Sequence, residues 1–378
     1  MSIFPHQFFR FGRRLPKYLI IISLLIFLIG WSKKVGKYFH TRRNRNLDSI
    51  PDPNRKSDPN QYIFVGHDEL RINISLGELD RLEKEAGFTY EKLSQWDETL
   101  CGKSANQRGR NQKVVAVSMF GTTSKFSNNP MYAWNTTIMS FLIPLADEIR
   151  IQLPTWTLRV YVDFTGSASF QRDILYNISN TDICDMTDIP FFGSSLLSYL
   201  PGKFWRFLPV FDPYVDYVIS SDLDSPMVRR QSETIELWLS EEEKNNFFYI
   251  ARDHDQHAVS ILGGLWGAAT VRARQHLFDI FRLILVPSIG RRYINAGDQR
   301  FLDEIVWNQV KNNSLIFDSH YCKLYGGRPF LSQRPKGNCF LGCIRACCLN
   351  NTDEDSGPYI KASPVECRPA DHPDWTYS

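Results

Sequence analysis

The sequence has few cysteines, no internal repeat and no excess of basic charge beyond its first 46 residues. Eight cysteines in 378 residues are too few for a small scaffold held together mainly by disulfides. A hydrophobic fraction of 43% and a charged fraction of 22% exclude a wholly disordered chain, a collagen and a coiled coil. The length corresponds to one large domain or about two average ones.

Basic residues are unevenly distributed along the chain. Residues 1–46 contain ten Lys and Arg and no Asp or Glu, so the remainder contains 34 basic and 41 acidic residues. A remainder with a net charge of −7 lacks the basic footprint that a dedicated nucleic-acid-binding protein needs. We therefore expect no nucleic-acid partner.

One uncharged apolar run, residues 18–31, lies between two basic clusters. A membrane-spanning helix usually needs about 17–25 apolar residues, so this run of 14 is short and suits a thin membrane of the early secretory pathway. A cleaved signal peptide is the alternative, but no small-residue cleavage site follows the run. We expect a transmembrane signal anchor at residues 18–32 and a cytosolic tail at residues 1–17.

Two features predict that the body of the protein is lumenal, although the charge bias opposes this orientation. Four basic residues precede the run and six follow it, which favours the opposite topology by the positive-inside rule. However, all eight cysteines lie beyond the run, and so do five N-glycosylation sequons, which are used only in the lumen. The sequons begin at Asn73, Asn135, Asn177, Asn312 and Asn350. The sequence thus predicts a single-pass type II protein of the Golgi or ER membrane.

The cysteines themselves predict disulfide bonds, because their number is even and their context is secretory. Five of them lie within residues 339–367. A zinc site is the alternative for this group, but its spacing lacks a paired CxxC motif and a partnering His.

Beyond the anchor, the chain predicts a stem at residues 33–110 and a catalytic domain at residues 111–378. Residues 32–60 are basic and then rich in Pro, Asp and Asn, as in a tether without a core. Residues 68–100 have a weak helical pattern that suits either a helical stem or a cap on the domain. Further on, apolar strands alternate with helical patterns, which predicts an α/β fold with a Rossmann-type, mainly parallel sheet and flanking helices.

An apolar strand is predicted at residues 215–222 and ends in Asp222, with Asp224 two residues further on. Ligands of parallel α/β sheets bind at the carboxyl ends of the strands. Two carboxylates at this position can both reach one hard cation, and such a cation can bridge the two phosphates of a nucleotide diphosphate. The alternative is a surface pair of acids that caps the next helix.

Later segments of the chain carry residues that suit a sugar-binding site. Gly263 and Gly264 allow a ligand to approach the backbone closely, and Trp266 offers a flat apolar face for a sugar ring. Asp298 and Gln299 begin a predicted helix and are open to a pocket.

Three further residues lie at predicted strand ends. Arg252 and Asp253 suggest an ion pair, although Asp253 is also a candidate base for the acceptor hydroxyl. His320 ends another short strand and is a candidate metal ligand.

In this order, the motifs resemble DxD-dependent glycosyltransferases of the GT-A fold, in particular retaining enzymes of the glycogenin and lipopolysaccharide galactosyltransferase type. Residues 203–322 also resemble a group of poorly characterised glycosyltransferase-like proteins from invertebrates and microbes. The matching stretches are residues 205–209, 221–225, 252–257, 261–267 and 298–302.

The resemblance implies a metal-dependent hexosyltransferase-like enzyme that uses a nucleotide-sugar donor and a glycan acceptor. By the same resemblance, Asp222, Asp224 and His320 would bind Mn²⁺ (or Mg²⁺), and Asp298 and Gln299 would face the transferred sugar. A second set would contact the donor, namely Ser221, Arg252, Gly263, Gly264 and Trp266. A retaining reaction is expected, with Asp253 as the competing base for inversion.

The chain departs from that group at two arginines. Ser221 replaces one of them and Pro226 the other, and Arg229 and Arg230 are candidates to replace their charge. This loss supports a different kind of function, a catalytically inactive lumenal protein that binds glycans or acts as a scaffold. A HAD-type phosphotransferase is an enzymatic alternative, because its nucleophile also lies in a DxD motif after an apolar strand.

The predicted topology can be tested on protein expressed in eukaryotic cells. Because the sequons lie beyond the anchor, at least two should carry glycans, and an N-glycan-removing enzyme should increase the mobility of the protein on a gel. Unchanged mobility would contradict the type II topology.

Overall fold

The computed structural model describes residues 62–65, 72–120, 137–165, 169–240, 243–294, 297–334, 339–349 and 361–376. The predicted tail, the predicted anchor, the predicted tether at residues 32–60 and the sequons at Asn135 and Asn350 lie outside these ranges. Within the described ranges, no helix has both the length and the apolar character needed to cross a bilayer.

A seven-stranded sheet forms the centre of the described chain. Two short strands, β1 (Tyr62–Val65) and β2 (Ile72–Ser75), pair with each other and precede it. The strands of the central sheet are β3 (Gln112–Met119), β4 (Thr157–Val162), β5 (Thr181–Asp185), β6 (Val215–Ser220), β7 (Phe248–Arg252), β8 (Trp266–Ala269) and β9 (Ser314–Asp318). Their order is β5-β4-β3-β6-β8-β7-β9. Only β8 runs antiparallel to its neighbours in this sheet, so the predicted α/β fold with a mainly parallel sheet is confirmed.

Helical segments flank this sheet. The α-helices are Leu76–Glu85, Tyr90–Ser94, Lys103–Gln107, Ile143–Gln152, Ser169–Tyr176, Arg229–Leu239, Thr270–Phe281, Pro287–Gly290, Gly297–Phe301, Trp307–Val310, Cys322–Tyr325 and Ala346–Leu349. The 3₁₀ segments are Ser194–Ser198, Gly202–Phe211, Arg282–Leu285, Arg291–Tyr293, Lys311–Asn313 and Val365–Cys367. Two π-helical segments, Ile138–Leu142 and Leu302–Val306, complete the set.

Both faces of the sheet are buried, as a mainly parallel sheet requires. Successive side chains of a strand point to opposite faces, so the apolar run of β3 serves two cores. Val114 and Ala116 belong to one hydrophobic cluster, while Val115 and Val117 belong to the other.

The chain reverses its direction across the sheet between β5 and β6. From β3 it moves outward to β4 and β5, and it then returns to place β6 on the other side of β3. In open α/β sheets, such a switch leaves a crevice outside the carboxyl ends of the two central strands. The N–H of Ser221 still donates to the carbonyl of Ala116, 3.0 Å away, so Asp222 begins where the ladder ends.

The described residues between β2 and β3 pack against the sheet. Leu79, Phe88, Leu93 and Leu100 are buried in the same cluster as one face of the sheet. Of the two interpretations for this region, the packing therefore favours a cap on the domain.

Disulfides are present, as the even number of cysteines predicts. The four pairs are Cys101–Cys184, Cys322–Cys367, Cys339–Cys348 and Cys343–Cys347. The first pair joins the cap to the end of β5.

A fully buried carboxylate, that of Asp212, ties the cap to the sheet. Its Oδ2 accepts from Arg159 Nη1 at 2.6 Å, from Thr99 Oγ1 at 2.5 Å and from the Leu100 N–H at 2.9 Å. Its Oδ1 accepts from the N–H of Tyr214, 2.9 Å away. Removing either charge would leave the other buried without a counter-charge, and an isolated buried charge loses its hydration without compensation.

Asp212→Ala should therefore leave Arg159 buried without its partner. We expect a loss of about 3–5 kcal/mol in the free energy of unfolding, measured by denaturant titration. Asp97→Ala is the matched control, because it breaks an exposed Asp–Arg pair and should cost less than about 1 kcal/mol. Equal losses in the two variants would contradict this account of the cap.

Candidate functional site

A cavity of about 420 Å³ lies at the carboxyl edge of the sheet, around the end of β6. Seven of the predicted site residues line it, which are Ser221, Asp222, Asp224, Gly263, Gly264, Asp298 and Gln299. Residues outside the predicted site set also reach it, among them Ser118, Phe120, Lys203, Arg206, His257 and Ile344.

The guanidinium of Arg206 joins two of the cavity carboxylates. Its Nη1 donates to the carboxylate of Asp222 and to the carbonyl of Ser221, while its Nη2 lies 2.6 Å from Asp298 Oδ2. Burial opposes the charge of Arg206, but the two carboxylates outweigh it and raise the pKa above its usual value. The backbone N–H of Arg206 donates to Ser118 Oγ at 3.0 Å, which fixes its segment to β3.

The glycine pair provides the space in which these carboxylates lie. A Cβ at Gly263 would lie 2.6 Å from Asp298 Oδ2 and 2.7 Å from Arg206 Nη2, and a Cβ at Gly264 would overlap Asp222 Oδ2. Both distances are shorter than real Cβ contacts. In this structure the groups that lie close to the backbone of these glycines are therefore the side chains of Asp222, Asp298 and Arg206.

Gln299, in the helix Gly297–Phe301, hydrogen-bonds to the loop that contains Gly263 and Gly264 (the glycine loop). Its side-chain nitrogen donates to the carbonyl of Ile261, and its side-chain oxygen accepts from the N–H of Gly263 at 3.2 Å. Both ends of the amide thus bind the loop.

Asp253, predicted as a candidate base, does not line the cavity. Its side chain is 0% exposed and bonds to Arg230 at 3.0 Å and to Arg334 at 2.8 Å. Burial alone would raise its pKa, but the two arginines outweigh burial and hold it at about 2. A carboxylate in this setting is a structural anion.

Arg252 and Trp266, predicted to contact the donor, are also buried away from the cavity. Arg252 Nε binds Asp318 Oδ2 at 2.6 Å, so Arg252 and Asp253 do not pair with each other. Trp266 is fully buried, stacked on Phe248 at a ring-centroid distance of 5.3 Å. Neither side chain offers a surface to a ligand.

His320 does not join Asp222 and Asp224 either. Its Nε2 lies 3.0 Å from the Lys361 carbonyl, its Nδ1 lies 2.9 Å from Ser319 Oγ, and it does not line the cavity. The predicted third metal ligand is therefore absent from this arrangement of the described residues.

The two candidate replacements for the missing arginines also lie elsewhere. Arg230 is buried against Asp253 and over the ring of Phe330, and Arg229 pairs with Glu233 on the exposed side of its helix. Lys203, exposed on the cavity wall, supplies a cation there instead.

Arg206 and His257 lie in the stretches at residues 205–209 and 252–257 that carry the resemblance, but neither was predicted as a site residue. Arg206 lies between Trp205 and Phe207 in the aromatic segment Gly202–Phe211, and a cation buried among aromatic residues needs an acidic partner. His257 accepts from the N–H of Asp253 through Nδ1, 3.1 Å away, and burial lowers its pKa to about 3. It is thus a neutral imidazole at the edge of the cavity.

Asp222 and Asp224 are the side chains best suited to a metal. Hard divalent cations prefer oxygen ligands, and Mg²⁺ in particular is often held by one or two carboxylates together with substrate phosphates. Although Arg206 binds one oxygen of Asp222, the side chain is still 45% exposed. Its other oxygen lies in the space that Gly264 leaves by lacking a Cβ. The donor set fits such a cation without His320.

Comparison with protein-family models and with curated proteins finds no match for this chain.

The low pKa of His257 makes a prediction about stability and pH. Unfolded His257 would bind a proton below about pH 6.5, while folded His257 stays neutral down to about pH 3. The contribution of His257 to the free energy of unfolding is therefore complete above about pH 6.5 and is lost as the pH falls. Between pH 7 and pH 5, His257→Gln should lose about 2 kcal/mol less stability than the wild type.

Denaturant titrations at both pH values measure this difference, and titrations at pH 7 and pH 9 provide the control, because the two proteins should show equal pH dependence there. An unchanged loss between pH 7 and pH 5 in His257→Gln would show that this imidazole titrates alike in both states.

Proposed function

We propose that this protein is a lumenal, metal-dependent glycosyltransferase that moves a sugar from a nucleotide-sugar donor to a glycan or glycoconjugate acceptor. The observation that carries the proposal is the convergence of Asp222, Asp224 and Asp298 with the glycine pair on one cavity. This cavity lies at the switch point of the sheet, where nucleotides bind in open α/β folds. The mainly parallel sheet is compatible with the GT-A-like fold that the motifs suggest.

In this proposal, Asp222 and Asp224 hold Mn²⁺ or Mg²⁺. Such a cation, when bound, neutralises the negative charge that develops on the leaving diphosphate. Lys203 adds a positive charge on the same wall, which supports binding of the phosphates. The chain thereby compensates in part for the arginine that Ser221 replaces.

Asp298 and Arg206 form the polar side of the cavity that would face the transferred sugar. Asp298 is only 5% exposed and is fixed by the guanidinium, so it can position a sugar hydroxyl but is poorly suited to remove a proton. Asp253, the candidate base for inversion, is buried and does not line the cavity. This arrangement favours retention, because an inverting reaction needs a base for the acceptor hydroxyl.

The membrane anchor and the location in the Golgi or ER are part of the same proposal. Four disulfides in the described chain support an oxidising compartment. Asn177 and Asn312, each the first residue of a sequon, are exposed, as glycosylation requires.

One observation favours the inactive alternative. Neither Arg229 nor Arg230 supplies the charge lost at Ser221 and Pro226. The alternative of a HAD-type phosphotransferase has less support. Its candidate nucleophile is Asp222, and one carboxylate oxygen of Asp222 is already bound by Arg206.

The proposal is tested by incubating the purified lumenal part with a panel of nucleotide sugars and Mn²⁺, and measuring release of nucleoside diphosphate. Asp224→Ala should lower the rate at least about 100-fold, because metal stabilisation of the leaving group is worth several kcal/mol. Its unfolding temperature without Mn²⁺ should hardly change. Asp371→Ala, at an exposed aspartate outside the cavity, is the matched control.

Turnover that survives in Asp224→Ala would contradict the metal site. Release of phosphate without a sugar nucleotide would support the phosphotransferase, and glycan binding without turnover would support the inactive alternative. The anomeric configuration of the product, read from proton NMR coupling constants, tests retention, and an inverted product would contradict it.

A further inference from the structure

The loop at residues 339–349 is closed on itself by disulfides and forms one wall of the cavity. Cys339 bonds to Cys348, nine residues later, and Cys343 bonds to Cys347, four residues later. Between them, Gly342 and Ile344 line the cavity. Short disulfide-closed loops have few conformations, so this wall is held in shape independently of its neighbours.

The loop is also attached to the protein interior beneath the cavity. The N–H of Leu341 donates to Asp253 Oδ2, 3.1 Å away, and the ring of Phe340 packs on that of His254 at a centroid distance of 4.1 Å. The buried carboxylate of Asp253 therefore binds this loop in addition to Arg230 and Arg334.

Arg345 connects this loop to the turn that carries the two cavity aspartates. Its backbone N–H donates to the carbonyl of Asp224, 2.8 Å away. Its buried guanidinium binds both oxygens of Glu148, with Nη2 3.0 Å from Oε2.

Glu148 holds the far end of the same turn. The Oε2 of this residue, in the helix Ile143–Gln152, accepts from the N–H of Met227 at 2.9 Å. The turn at residues 222–227 is thus held at the Asp224 carbonyl by Arg345 and at the Met227 N–H by Glu148. Because Arg345 and Glu148 also bind each other, the two attachments form one clamp.

We propose that the disulfide-closed loop is a positioning element for the metal-binding turn, with Arg345 and Glu148 as its positioning residues. This inference rests on the proposed function, since it concerns the cation held by Asp222 and Asp224. Residues that orient a metal ligand from outside the coordination sphere commonly change metal affinity about 10- to 100-fold when replaced. Arg345 would act in this way through the backbone of Asp224.

The test measures the binding of Mn²⁺ alone to the purified protein, by the loss of the electron paramagnetic resonance signal of free Mn²⁺. Arg345→Ala keeps the backbone N–H but releases the guanidinium from Glu148, and it should weaken Mn²⁺ binding at least about 10-fold. Arg345→Lys keeps a charge for Glu148 and should restore part of the affinity. Arg229→Ala is the matched control, because it breaks an exposed ion pair just beyond the same turn and should bind Mn²⁺ like the wild type.

Asp224→Ala separates a failure of this inference from a failure of the proposed function. If Asp224→Ala binds Mn²⁺ like the wild type, the metal site itself is wrong. If Asp224→Ala loses Mn²⁺ but Arg345→Ala retains wild-type affinity, the metal site stands and the inference is overturned.

Thermal unfolding without metal shows whether each variant is folded. If Arg345→Ala does not fold, Glu148→Gln decides, because its amide oxygen still accepts from Met227 while the charge that binds Arg345 is gone. Weakened Mn²⁺ binding in folded Glu148→Gln supports the clamp, and wild-type affinity overturns it.

Discussion

The cavity depends on the hydrogen-bonded ion pairs that the buried guanidinium of Arg206 forms with two aspartates. The guanidinium binds Asp222, which follows β6, and Asp298, which begins the helix Gly297–Phe301. Two buried or half-buried carboxylates placed this close would repel each other, and Arg206 itself would be an unpaired buried charge without them. Each of the three groups therefore depends on the other two, and the two elements are fixed relative to each other.

The remainder of the site follows from this triad. The glycine pair leaves the space that the two carboxylates fill, and Gln299 fastens the glycine loop to the helix that carries Asp298. Because Arg206 takes one side of Asp222, a cation would bind the other side together with Asp224. One oxygen of Asp222 would thus bind the guanidinium of Arg206, and the other would bind an exchangeable metal ion. Such a metal ion could also bind the phosphates of a ligand.

The sequence predicted the fold class and seven lining residues because both follow from local patterns. Carboxyl ends of parallel strands and starts of helices meet at one edge of an α/β sheet, so Asp222 and Asp298 converge without any knowledge of packing. The ion pair predicted between Arg252 and Asp253 does not form, because neighbouring side chains in extended backbone point to opposite sides. The two residues therefore have different partners. The role of Arg206 depends on contacts with residues 16 and 92 positions away, which no local pattern encodes. Strand β8 was missed because its segment, residues 266–269, contains Gly and Ala, which have low strand propensity.

The central claim is that the cavity binds a divalent cation and a nucleoside diphosphate together, at Asp222 and Asp224. The most direct measurement is anomalous diffraction near the manganese absorption edge, on crystals of the protein grown with Mn²⁺ and a nucleoside diphosphate. An anomalous peak is expected within bonding distance of carboxylate oxygens of Asp222 and Asp224, with diphosphate density beside it. A well-diffracting crystal with the peak at another site, or with no peak in this cavity at saturating Mn²⁺, would contradict the central claim.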